Sequence, residues 1–161
     1  MSRERRVSVI GAGDCGPELA ETARLLGRLL AERGFTLVCG GLGGVMEAAA
    51  QGAQEAGGRT VGILPGLDRS AANPYIDLPL VTGLGPMRNF LVVANGDVAV
   101  AVEGGAGALS EIGLALKIGR PVIGLGRWAN LPGVRRVATP EEAADEADRL
   151  CPKSGEPCKE R

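Results

Sequence analysis

Three short glycine-rich stretches carry most of the chemistry in this chain: Gly11-Ala12-Gly13-Asp14-Cys15-Gly16, Gly40-Gly41-Leu42-Gly43-Gly44 and Glu103-Gly104-Gly105-Ala106-Gly107. Each follows an apolar run of β type and opens a run of helical type. Bare glycine lets a phosphate reach main-chain N–H groups, and the helix start behind it adds partial positive charge. A single turn of this kind is explained by a tight strand-to-helix connection. Three of them on parallel strands fall along one sheet edge, where open α/β sheets take their ligands. The candidate anion-binding set is therefore Gly11, Gly13, Gly40, Gly41, Gly43, Gly44, Gly104, Gly105, Ala106, Gly107 and Ala108.

Two charged residues sit near these turns. Arg88 follows Pro86-Met87 at a predicted helix start and is followed by Asn89. It reads either as a solvated surface arginine or as a guanidinium forking onto a phosphate or carboxylate. Glu111 is predicted in the first turn of a helix, where the dipole favours a carboxylate, so it reads as an N-terminal charge or as a site group. Gly11, Gly13 and Gly16 match the dinucleotide fingerprint, which also wants an acid at the end of the second strand. Val38-Cys39-Gly40-Gly41 offers none, so the nicotinamide-dinucleotide reading weakens.

The elements that must position these residues alternate. Predicted strands are Val7–Ile10, Phe35–Cys39, Thr60–Leu64, Leu80–Thr82, Asp97–Val102, Pro121–Leu125 and an edge strand over Val134–Ala138. Predicted helices run from Pro17 to Arg33, then Val45–Ala56, Pro86–Ala94, Ala108–Ile118 and Pro140–Leu150, with a long loop over Leu67–Pro79. Continuous apolar strands alternating with helices indicate a single-domain α/β Rossmann-like fold, a mostly parallel open sheet with helices on both faces. The domain is expected over 1–150 and a flexible tail over 151–161.

Composition narrows the function classes. The chain has 161 residues, a net charge of −1 and no histidine, which removes Ser–His and Cys–His catalysis and Cys₂His₂ zinc sites. Aromatic residues make up 2%, too few for base-stacking platforms, and no bulk field draws nucleic acid. The 26 glycines are about twice the usual ~7% share, and they cluster at strand ends. No metal site is expected. Cys15, Cys39, Cys151 and Cys158 show no metal or redox spacing; Cys39 reads as a buried free thiol, and Cys151 and Cys158 as exposed. Without a signal segment or membrane span, a cytoplasmic location is expected, with no membrane partner.

The Glu103–Glu111 stretch resembles the Pro-Gly-Gly-x-Gly-Thr-x-x-Glu motif of the Lonely-guy phosphoribohydrolases, often mislabelled lysine decarboxylases. Met87-Arg88-Asn89 resembles their Met-x-x-Arg-Lys motif loosely, and Gly40 to Met46 is similar to their second glycine loop. Asn73-Pro74-Tyr75, Thr82-Gly83 and Arg88-Asn89 bring the chain nearer to a sister branch, the molybdenum-cofactor-carrier-like proteins. DNA-processing protein A shares the fold more distantly. The chain departs from the hydrolases at Glu103 for proline, Ala108 for threonine and Asn89 for lysine. Glu103 would repel a phosphate unless Arg88 pairs with it.

The resemblance implies a protein that binds or carries a phosphorylated small molecule, a nucleotide or a molybdopterin-type cofactor, with Asn73 and Asn89 bonding its ring or sugar. The alternative is a nucleoside 5′-monophosphate phosphoribohydrolase in which Arg88 and Glu111 are catalytic. No cofactor is required by either chemistry. A homodimer or larger homo-oligomer is implied, with the helix over Ala108–Ile118 as contact surface.

Overall fold

The computed structural model describes residues 3–153. The described residues form seven strands, six of them on largely apolar runs and the last on two arginines: β1 (Arg5–Gly11), β2 (Phe35–Cys39), β3 (Thr60–Leu64), β4 (Leu78–Val81), β5 (Val98–Val102), β6 (Val122–Leu125) and β7 (Arg135–Arg136). Five helices connect or flank them: α1 (Pro17–Glu32), α2 (Val45–Glu55), α3 (Asn89–Ala94), α4 (Ala106–Lys117) and α5 (Pro140–Leu150). The strands make one sheet in the order β4-β3-β2-β1-β5-β6-β7, and every pairing is parallel. The winding reverses at β1, which pairs with both β2 and β5. A crevice opens at such a reversal, outside the carboxyl ends of the strands. Glycine loops one and three leave from those two central strands.

Alternation along each strand feeds two cores. Val98, Val100 and Val102 of β5 pack with Leu26 and Leu30 of α1, Ala49 and Ala53 of α2 and Leu150 of α5. Ala99 and Ala101 pack with Ile112 and Ala115 of α4 and with Trp128 on the other side. The inner strands are thus buried on both faces, as parallel sheets require, while β4 and β7 at the two edges stay partly exposed. Small residues on the α4 side bring that helix close to the sheet edge that its N-terminus must serve.

Several boundaries differ from the sequence reading. The helix predicted from Ala108 begins at Ala106 with Gly105 as its N-cap, so Glu111 lies in the second turn, beyond the reach of the dipole effect. Pro86–Ala94 splits into a 3₁₀ turn, Gly85–Arg88, and α3. A further 3₁₀ turn, Gly126–Asn130, follows β6; the sequence reading missed it. Cys151, read as exposed, is 1% exposed. It packs in the same core as Phe35, Ala147 and Leu150, and the Arg5 guanidinium holds the chain there, donating to the Cys151 carbonyl at 2.5 Å and to Asp148 Oδ1 at 2.6 Å while stacking 4.2 Å from the centre of the Phe35 ring. Residues 154–161 of the expected tail, Cys158 among them, lie outside the described residues. Among the described residues no helix is long and apolar enough to cross a membrane.

Candidate functional site

The three glycine loops interlock. Val45 N–H, just after the second loop, donates to the Ala12 carbonyl of the first at 2.9 Å. A Cβ on Gly44 would fall 2.2 Å from that same oxygen, and Gly44 has φ +67°. On the opposite flank, a Cβ on Gly104 would fall 3.1 Å from Ala12 N, and Gly104 has φ +115°. The first loop is therefore clasped between the second and the third, and only bare backbone allows both approaches.

The candidate glycines divide by what surrounds them. At Gly11 a Cβ would meet Val45 at 2.5 Å and the Val102 carbonyl at 2.6 Å; at Gly41, Leu64 at 2.9 Å. At Gly40 it would meet Arg88 Nη2 at 2.7 Å and Met46 Sδ at 2.8 Å. Packing alone accounts for glycine at these positions. Gly13 and Gly105 have no atom within 4 Å of a built Cβ, and Gly107 has only Asn89 Nδ2 at 4.0 Å. Gly43 is intermediate, with Gly13 O at 3.3 Å. The open part of the edge is thus Gly13 and the start of α4. No side chain caps α4, so its first-turn N–H groups are available to an anion. Ala106 lies in that exposed first turn, whereas Ala108 turns its methyl into the core, 4% exposed.

Arg88 is a fixed fork and not a loose surface arginine. Its Nε donates to the Ile63 carbonyl at 2.9 Å, and Nη1 donates to Asn89 Oδ1. Its Nη2 lies where Gly40 has no side chain, at the end of β2, the position where a dinucleotide site would hold its acid. Asn89, 7% exposed, passes the link on: its Nδ2 donates to Ser110 Oγ at 3.1 Å, and that hydroxyl donates to the Gly107 carbonyl at 2.7 Å. Arg88 is so tied to the third loop through Asn89 and Ser110. Ser110 is a residue the sequence reading missed, and its serine–backbone bond within one helix turn is a common pattern that signals no site by itself.

Glu111 is 8% exposed. Burial pushes its carboxyl up to about 7, and the Arg88 charge opposes that rise only in part. The group therefore exchanges its proton near neutrality, as an acid–base residue must. The first-turn placement in the sequence reading implied dipole stabilisation of the ionised form; the structure replaces that with desolvation of a buried carboxyl. Cys39, at the end of β2, is fully buried and its thiol is pushed up to about 12 by burial, which makes it a packing group.

Asn73 holds the second loop. Its Nδ2 donates to the Leu42 carbonyl at 2.8 Å, its own N–H donates to Gly41 O at 2.9 Å, and its Oδ1 accepts from Tyr75 N–H at 3.0 Å. These bonds account for the Asn73-Pro74-Tyr75 segment without a ligand. Glu103 does not turn to Arg88. Its Oε1 accepts from Arg127 N–H at 3.2 Å, in the 3₁₀ turn after β6. A concavity of about 590 Å³ lies on that side, lined by Gly16, Leu19, Val102, Glu103, Leu125 and Ala138 among others; Arg88 and Glu111 are not among its lining residues.

The chain is similar in sequence and in fold to other proteins. The chain is similar to the molybdenum cofactor binding protein of Rippkaea orientalis, with 37% identity and a TM-score of 0.86 over 92% of this chain and 98% of that one. It is 43% identical over 140 residues to an uncharacterized protein of Archaeoglobus fulgidus, covering 87% of this chain and 92% of that protein. It is 34% identical over 128 residues to a cytokinin riboside 5′-monophosphate phosphoribohydrolase of Mycobacterium tuberculosis, covering 73% of this chain and 68% of that protein. The model of the SLOG cluster4 family matches residues 4–150, which takes in every strand and helix from β1 to α5, and the chain belongs to that family.

Proposed function

We propose that this chain binds a phosphorylated small molecule, a nucleotide or a molybdopterin-type cofactor, at the glycine edge and acts as a binding or carrier protein. The observation that carries the reading is the clasp of three glycine loops around an open stretch at Gly13, Gly105 and Gly107, with Arg88 fixed beside it. The phosphate would lie against the uncapped first turn of α4, with Arg88 as the charged fork. The cofactor-binding relative of Rippkaea orientalis supports this reading over nearly the full chain.

A second reading has its own support. A buried carboxyl at about 7 beside a fixed arginine suits cleavage of the N-glycosidic bond of a nucleoside monophosphate. Water would add to the ribose carbon as the base departs with a proton, and ionised Glu111 would stabilise the oxocarbenium-like transition state or activate the water. Incubation with AMP and chromatography for adenine separates the two. A carrier returns AMP intact, and Arg88→Ala weakens its binding about tenfold; affinity unchanged in that variant would remove Arg88 from the site. A hydrolase releases adenine, and Glu111→Gln abolishes the release.

Exposed apolar side chains concentrate on the β4, α3 and α4 side, including Leu80, Met87, Phe90 and Leu109. They support association of two copies through that side, checked by the molar mass in light scattering.

A further inference from the structure

We propose that Glu103 is the positioning residue of the third glycine loop: by fastening the loop to Gly126–Trp128 it holds Gly104–Gly107 in their anion-accepting shape and keeps its own charge off the anion's path. The proposal rests on the anion-binding reading of that loop. Five observations converge on it. Glu103 has φ 52°, the one non-glycine residue with positive φ among the described residues, and such a conformation persists only where surrounding contacts enforce it. Its carbonyl accepts from Trp128 Nε1 at 2.8 Å, and its Oε1 accepts from Arg127 N–H at 3.2 Å. The Arg127 guanidinium donates back to the Gly104 carbonyl at 3.2 Å and lies 4.9 Å from the Trp128 ring centre. Gly126, whose own φ of +64° already favours glycine, leaves room where a Cβ would fall 2.0 Å from Glu103 Oε1. Trp128 is itself anchored, 7% exposed in the core beneath α4.

The contacts work as a unit. The Trp128 bond fixes the peptide between Glu103 and Gly104, the Arg127 bond fixes the next carbonyl, and the left-handed turn at Glu103 sets the path by which the chain enters Gly104 and α4. The side chain that makes this turn is an anion placed next to an anion site. The bare Gly126 gives it somewhere to go, on the β6 side, while Arg88 stays bound to Ile63 and Asn89 and unpaired with the Glu103 carboxylate, which is engaged by Arg127 N–H.

The test uses the full chain, AMP and inorganic phosphate as probes, and Trp128, the chain's one tryptophan, as fluorescent reporter. Glu103→Gly relieves the backbone but removes the carboxylate contact. It is expected to speed amide exchange at Gly104–Ala108 about tenfold and to weaken AMP binding about tenfold, with exchange elsewhere unchanged. Gly126→Ala, outside the open glycines, is expected to do the same by expelling the carboxylate, and because alanine also strains the backbone at φ +64° its effect is read against Gly126→Ala combined with Glu103→Gly, where the carboxylate contribution is already gone. Glu103→Gln keeps an acceptor and should leave both readouts within about twofold. Unchanged exchange at Gly104–Ala108 in Glu103→Gly overturns the proposal. So does a lowered melting temperature with unaltered AMP affinity, which is a merely structural role, or much tighter AMP binding in Glu103→Gln, which would put the charge in the anion's path. If the unaltered chain binds neither probe, the anion reading falls, and the exchange comparison still decides whether Glu103 holds the loop.

Discussion

The contact between α1 and α2 and the glycine edge of the sheet use the same residue for opposite ends. In the helix pair, a Cβ on Gly27 would fall 1.9 Å from the Ala49 carbonyl and one on Gly52 would fall 1.8 Å from the Arg24 carbonyl. Backbone rests directly on backbone, and the space that glycine leaves is filled. At Gly13 and Gly105 nothing lies within 4 Å, and the space is left open to solvent. A glycine in a helix interior costs about 1 kcal/mol against alanine, which close packing offsets in the first region. In the second region no packing contact calls for glycine, and the bare backbone there faces solvent. High glycine content by itself does not distinguish the two cases.

The largest effect that would break this comparison is expected at Gly52→Ala. Helix propensity alone favours alanine, but the methyl meets rigid main chain. A net loss of about 4 kcal/mol is expected, a fall in melting temperature of roughly 12 °C. A melting temperature at or above that of the unaltered chain would show that the helices spread freely and would dissolve the distinction.

Next comes the pH dependence of Glu111. Its carboxyl is raised from 4.5 to about 7 in the folded chain. Below the unfolded value both states hold the proton and there is no penalty. As pH rises from about 4.5 to about 7 the unfolded chain ionises first, so stability falls, by up to about 3 kcal/mol. Glu111→Gln should lack this fall, so that the variant gains on the unaltered chain at pH 8 relative to pH 5 in denaturant titrations. Parallel profiles for the two proteins would mean that Glu111 is ionised at ordinary carboxylate pH.

The smallest effect sharpens the comparison from the open side. Gly107→Ala adds a methyl with only Asn89 Nδ2 near, at 4.0 Å, in the first turn of α4. Stability should rise by about 0.5 kcal/mol, while phosphate or AMP affinity drops. A variant that is both more stable and equally tight in binding would show that the anion does not approach there.

Much of this was legible in the chain. β2 and β3 occupy the residues expected of them, Phe35–Cys39 and Thr60–Leu64, because continuous apolar runs stopped by glycine or proline have no other economical placement. The meeting of the three loops followed from parallel strands, since all three leave the sheet at the same edge. Asn73 and Asn89 were expected to bond a ligand, and their polar atoms are committed to Leu42, Tyr75, Arg88 and Ser110. The Glu103–Arg127 contact spans 24 positions, and nothing in the local pattern at either end announces it.

Local information set the alternation of strands and helices, the parallel sheet and the edge at which the glycines gather, because apolar periodicity and turn residues act over a few neighbours. Which glycines are filled and which are open, the burial that lifts the Glu111 carboxyl, and the turn of Glu103 toward Gly126 were decided by the folded chain alone. Each depends on desolvation and on atoms brought together from distant segments, quantities that exist only after the sheet has assembled.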